Sequence, residues 1–90
     1  MNTYRVKISG RVTGVGFRYH ALNATKEYPG VSGYIRNIGY GEVEALLQGK
    51  QDEIDAILAV LRQGPPLARV DSFVINREPA NNNLKGFVVK

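Results

Sequence analysis

Tyr4-Arg5-Val6-Lys7-Ile8-Ser9-Gly10-Arg11-Val12-Thr13-Gly14-Val15-Gly16-Phe17-Arg18 decides the reading of this chain. Its first part alternates, with Tyr4, Val6 and Ile8 on one side and Arg5 and Lys7 on the other. A period of two predicts a half-buried strand over Tyr4 to Ser9. Its last part is a loop in which Gly14 and Gly16 are separated by one residue. Beyond it, Phe17, Ala21, Ala24 and Tyr28 recur at spacings of 4, 3 and 4, one stripe of a helix. Strand, glycine loop and helix therefore follow one another directly.

The same periods organise the rest. Pro29-Gly30 stops the first helix, and Val31 to Asn37 returns to strand-forming residues. Gly39-Tyr40-Gly41 reads as a hairpin turn, followed by Val43, Ala45 and Leu47 at period two. Ile54, Ile57, Leu58 and Leu61 give a second helical stripe, with Asp52 and Glu53 where a helix dipole favours acid. Gly64-Pro65-Pro66 ends that helix, Val70 to Arg77 is the next strand, and Phe87 to Val89 a short final one. The predicted order is β-α-β-β-α-β. This is an α+β, ferredoxin-like arrangement, with two helices on one face of a four-stranded, mainly antiparallel sheet. Such a topology hosts many functions, so function must be argued from a site.

Composition narrows the classes. Ninety residues suffice for one domain, residues 1 to 90, with a modest core. No apolar run approaches the roughly 20 residues of a membrane span, and Met1 leads directly into a strand pattern, so the cytoplasm is expected and a membrane is not. Cysteine is absent, which excludes disulfides, thiol catalysis and cysteine-bound zinc. His20 is the only histidine, so no histidine metal cluster can form. The net charge of +4 raises the prior for anionic ligands, but the lysines and arginines are scattered.

The loop from Thr13 through Gly14, Val15, Gly16 and Phe17 to Arg18 admits two readings. Consecutive amides in a glycine loop at a helix start can converge on an anion, and Arg18 would add a charged planar donor. The plainer alternative is a tight turn that needs flexible residues. Two familiar nucleotide patterns fail. Tyr19 stands where the third glycine of G-x-G-x-x-G belongs, and Gly49-Lys50 is followed by Gln51. An arginine in the first helical turn opposes the dipole and needs compensation, either a carboxylate such as Glu27 or a bound anion. Asn37 is read as ending a strand and entering a turn, where asparagine is ordinary. Beside an anion cradle, its carboxamide could also hold a water. His20 lies about 200 degrees around the helix from Arg18, so it should point away. Tyr19, Tyr28, Tyr34 and Tyr40 are read as packing residues.

Gly10-Arg11-Val12-Thr13-Gly14-Val15-Gly16-Phe17-Arg18, then Gly33-Tyr34-Ile35-Arg36-Asn37, then Gly41-x-Val43-Glu44 together closely resemble the acylphosphatase family. Gln48-Gly49, Gln63-Gly64-Pro65-Pro66 and Phe87-x-Val89 extend the likeness over nearly the whole chain. The resemblance implies a small, ferredoxin-like hydrolase that splits acyl phosphates into a carboxylate and inorganic phosphate. It implies no cofactor and no metal. It assigns the phosphoryl oxygens to the amides from Gly14 to Arg18 and to the Arg18 guanidinium, and it makes Asn37 the residue that orients the attacking water. Inorganic phosphate, the product, is then an expected competitive inhibitor, and a monomer is expected. Departures from the family pattern are Tyr34 for a frequent tryptophan, Thr13 for a frequent glutamine, and Tyr40 and Ile38 in place of polar residues. The segment between Arg18 and Gly33 is also longer than the family pattern by one residue, around Pro29-Gly30.

Two other classes share features with this chain. RNA-recognition domains share the topology, but neither Tyr4 to Ile8 nor Val43 to Leu47 matches their RNP1 pattern, so no nucleic acid is expected. A regulatory domain that merely binds an anion is the other.

Overall fold

The first strand, β1 (Asn2–Arg11), buries Val6 and Ile8 on one face and turns Arg5 and Lys7 to the other, as the alternation predicts. A computed structural model describes all 90 residues. After β1 come α1 (Phe17–Thr25), β2 (Ser32–Gly39), β3 (Glu42–Gly49), α2 (Gln51–Gln63), β4 (Arg69–Arg77) and β5 (Phe87–Val89). The strands lie in the order β4-β1-β3-β2-β5. Val6 sits opposite Ala45 of β3 and Ile75 of β4, and Ile35 of β2 sits opposite Ala45, all antiparallel. Each β-α-β unit therefore leaves a gap between its parallel strands, which a strand of the other unit fills. This is the ferredoxin-like arrangement, and the short final strand expected at Phe87 to Val89 joins it as a fifth strand of the sheet expected to have four. β5 pairs parallel to β2, with Tyr34 opposite Val88, and makes a new edge.

The core lies between the helices and one face of the sheet. Phe17 and Ala21 of α1 meet Ile54, Ile57 and Leu61 of α2 over Val6, Ile8, Ile35, Val43, Ala45 and Leu47. The first helix is shorter than its predicted stripe. The Thr25 hydroxyl bonds back to the Leu22 carbonyl at 2.8 Å and the Tyr28 N–H closes a turn onto Thr25 at 2.9 Å, so Tyr28 packs from a turn.

The opposite sheet face holds the largest surprise. β3 buries Glu44, Leu46 and Gln48 as well as the predicted Val43, Ala45 and Leu47. The chain leaving β4 on one edge must reach β5 on the other, and it passes over the end of this face. The Gln48 carboxamide bonds the Asn81 carbonyl at 3.0 Å and accepts the Asn81 N–H at 2.8 Å, pinning that crossing. Thr3 donates its hydroxyl to the same side chain at 2.6 Å. Every polar side-chain atom buried there has a hydrogen-bond partner. That satisfaction is the condition for burying such groups at tolerable cost.

Candidate functional site

β1 and β2 run in the same direction, so the ends of both strands reach one rim of the sheet. The glycine loop leaves β1 there. Gly14 and Gly16 both adopt left-handed backbone, with φ of 72° and 78°. A residue with a side chain is strained in that region, which is why glycine recurs at this spacing. Val15 between them turns inward and packs against the core. The loop thus has one anchored side chain and two open backbone positions.

The amides of this loop are unengaged. The first bond of α1 runs from the His20 N–H to the Gly16 carbonyl at 3.0 Å, and residues 14 to 19 donate no backbone hydrogen bond within the chain. Gly16, the cap residue, offers no side chain, and the first turn holds no acidic residue. A helix start with free donors and no internal carboxylate is electrostatically suited to an anion.

Arg18 adds the guanidinium. Neither Glu27 nor a sheet carboxylate pairs with it; the chain's ion pairs are made by Arg5, Arg36 and Arg69. Instead its Nη1 donates to the main-chain oxygen of Lys90 at 2.7 Å. Lys90 is itself held, with its N–H on the Ile35 carbonyl at 2.9 Å and its ammonium over the Tyr34 ring at 4.1 Å. The segment at β5 therefore fixes Arg18 beside the loop, and no Asp or Glu side chain pairs with its guanidinium. Nothing in the sequence pattern indicated this partner, which is 72 positions from Arg18 along the chain.

Asn37 comes from β2. It lies within the strand, opposite Val43, and the hairpin turn falls later at Tyr40 and Gly41. The expectation that Asn37 enters a turn is corrected. A register shift between Asn37 and Gly39 absorbs the bend, so the Asn37 carboxamide is not spent on turn geometry. It is exposed and makes no hydrogen bond within the chain. Thr13 takes a supporting position. Its hydroxyl accepts the Gly41 N–H at 3.2 Å, and the Gly10 N–H bonds the Gly41 carbonyl at 3.0 Å. These two bonds tie the hairpin carrying Asn37 to the strand carrying the loop.

The result is one small hollow of about 130 Å³. Gly14, Gly16, Arg18 and Asn37 line it, with Val12, Phe17 and Tyr19. The structure thus brings Arg18 and Asn37 together with the glycine loop, while Thr13 and Val15 stand behind the wall. His20 does not line the hollow. Tyr19 and Tyr40 are not packing residues, being 63% and fully exposed. Sequence reasoning therefore missed Tyr19 as part of the site. No group of three or more His, Asp or Glu side chains is placed to hold a metal.

Arg36, next to Asn37, is gripped on the opposite face. Its guanidinium meets Glu44, its cross-strand partner, at 2.9 and 3.0 Å. Arg5 meets the same carboxylate at 3.0 Å and Glu78 at 3.1 Å. The hydrogen bonds that Arg5 donates to Glu78 and to the Tyr34 hydroxyl push its guanidinium above its ordinary range, and the first of them holds the Glu78 carboxyl below its own.

The acylphosphatase family model matches residues 4–89. The chain belongs to the acylphosphatase family. An acylphosphatase from Rubrobacter xylanophilus is 41% identical over 86 residues, covering 96% of this chain and 77% of that one. The crystal structure of acylphosphatase from Bacillus subtilis superposes with a TM-score of 0.91 at 26% identity, over 100% of this chain and 99% of the other. An acylphosphatase from Coxiella burnetii gives 0.89 at 28% identity, over 99% and 92%. Acylphosphatases are hydrolases, so the hollow at the end of β1 and β2 is to be understood as belonging to a hydrolytic enzyme. No helix of this acylphosphatase is long and apolar enough to cross a membrane.

Proposed function

We propose that this hollow is where the chain hydrolyses acyl phosphates, with the amides of Gly14 to Arg18 and the Arg18 guanidinium holding the phosphoryl oxygens and Asn37 orienting the attacking water. The observation that carries this reading is the convergence of unpaired amide donors, an arginine with no side-chain carboxylate and an asparagine carboxamide with no partner on one small space. Each alone is compatible with a structural turn. Together they fit a tetrahedral anion with a water beside it.

The chemistry needs little more. The water oxygen bonds to phosphorus and the bond from phosphorus to the acyl oxygen breaks. The electron pair leaves with the carboxylate, and a water proton ends on a phosphoryl oxygen. A carboxylate leaves readily without an acid to protonate it. Phosphoryl transfer rests on positioning and on stabilising charge spread over the equatorial oxygens. Amides fixed by a folded loop and a guanidinium fixed by Lys90 supply that without reorganising. Asn37 does not ionise near neutral pH, so its role is geometric.

Inorganic phosphate should occupy the same hollow and compete with substrate. A cytoplasmic monomer is the form proposed. The β5 edge is only three residues long and the β4 edge carries Arg69, Asp71 and Arg77, features that oppose edge pairing. The deciding experiment is hydrolysis of benzoyl phosphate by the purified protein, with and without EDTA and at rising phosphate. Turnover should survive EDTA and fall competitively with phosphate. Folded protein that releases no phosphate from benzoyl phosphate refutes the proposal.

A further inference from the structure

We propose that Tyr19 sets the acyl-group preference, its ring forming a platform that favours flat aromatic acyl phosphates over small aliphatic ones. This rests on the reading of the hollow as a phosphoryl site. The hollow, about 130 Å³, has room for roughly four waters by their share of liquid volume. A phosphoryl group with its attacking water uses that space. The acyl group must then lie outside, along the rim.

The rim leaves few candidates. Gly14 and Gly16 present no side chain, and Val12 and Phe17 are buried to 1% and 2% exposure. Arg18 and Asn37 are polar. Tyr19 is the one apolar side chain lining the hollow that remains open, at 63% exposure. It is not among the residues packed on the core, and its hydroxyl has no partner in the chain. Ile38 and Tyr40, also exposed, stand toward the hairpin and do not line the hollow. An exposed aromatic ring at the rim can stack in an offset geometry on a planar acyl group. An acetyl group offers too little surface to gain from it.

The test compares kcat/KM for benzoyl phosphate and acetyl phosphate in the wild type, Tyr19→Ala and Tyr19→Phe. Thermal midpoints confirm that each variant folds, which the exposure of Tyr19 favours. Tyr19→Ala should lower the benzoyl-to-acetyl ratio by about 3- to 10-fold, the scale of one aromatic pair. The loss should fall mainly in KM for benzoyl phosphate. Tyr19→Phe should keep the ratio, since the ring is retained. An unchanged ratio in Tyr19→Ala, or an equal loss on both substrates, overturns the proposal. Wild-type protein that hydrolyses neither substrate refutes the hydrolytic reading itself, a result distinct from an active enzyme with an unmoved ratio.

Discussion

Replacing Glu44 by glutamine should destabilise this protein more than any other isosteric change on its surface-facing sheet side. Glu44 is a charged residue in the central strand β3, with its side chain 7% exposed, between Arg5 and Arg36. At an effective dielectric of about 20 and a charge separation of about 4 Å, each pairing is worth about 4 kcal/mol before desolvation. Removing one member of a buried ion pair costs roughly 3–5 kcal/mol, because a charge is left without its partner. Here the arginines are 27% and 46% exposed, so water screens part of the loss. Arg5 also keeps Glu78 at 3.1 Å. The expected net cost of Glu44→Gln is therefore about 2–3 kcal/mol. For a domain of this size that lowers Tm by roughly 10–20 °C. Urea unfolding followed by far-UV circular dichroism measures it directly, and the midpoint should move while the slope stays fixed. The difference should persist at about 0.5 M NaCl, since partly buried pairs are weakly screened. A cost below about 1 kcal/mol, or one that salt erases, would refute the argument and make the cluster an ordinary surface network.

The remaining expectations concern the site and its supports. Arg18→Gln should lower kcat/KM for benzoyl phosphate, and Asn37→Ala should lower kcat with KM little changed, each by roughly 30- to 1,000-fold. Steady-state kinetics on the purified variants decides, and activity within threefold of wild type contradicts the assigned role. Thr13→Val removes the acceptor of the Gly41 N–H and should cost about 1–2 kcal/mol in a urea melt, with a raised KM as the hairpin loosens. The Glu78 carboxyl lies below its ordinary range because Arg5 donates to it, and Asp71 likewise because of Arg69. Carboxyls with depressed folded pKa values give stability that is full above the unfolded values, near pH 4, and lost as pH falls through the folded ones. Stability from these groups should be flat above about pH 5.5 and decline in acid. Glu78→Gln should show a shallower acid decline in pH-dependent urea melts.

What the sequence reveals and what it conceals follow from the range of the forces involved. Val6 and Ile8, or Ile54, Ile57 and Leu61, are legible because one-sided burial imposes a period on neighbouring residues. β3 defeats that logic. Its second face is buried by Asn81 and by arginines of two other strands, and no local period records a cover that arrives from elsewhere in the chain. β5 is too short to show a period convincingly, yet it adds the edge strand and leads into the residue that holds Arg18. The site divides along the same line. Gly14, Gly16 and Arg18 are visible because a left-handed turn and a charged helix start leave marks on consecutive positions. Asn37 is visible as a residue but ambiguous as a role, since a turn asparagine and a water-orienting one look alike in sequence. The strand register removes the turn role: opposite Val43 and short of the turn, its carboxamide has no turn to serve. The loop could have bound an anion as an isolated feature. What the proposed hydrolysis adds is a need for Asn37 at the same place, and the tie through Thr13 and Gly41 meets it by joining the strand bearing the loop to the hairpin bearing Asn37.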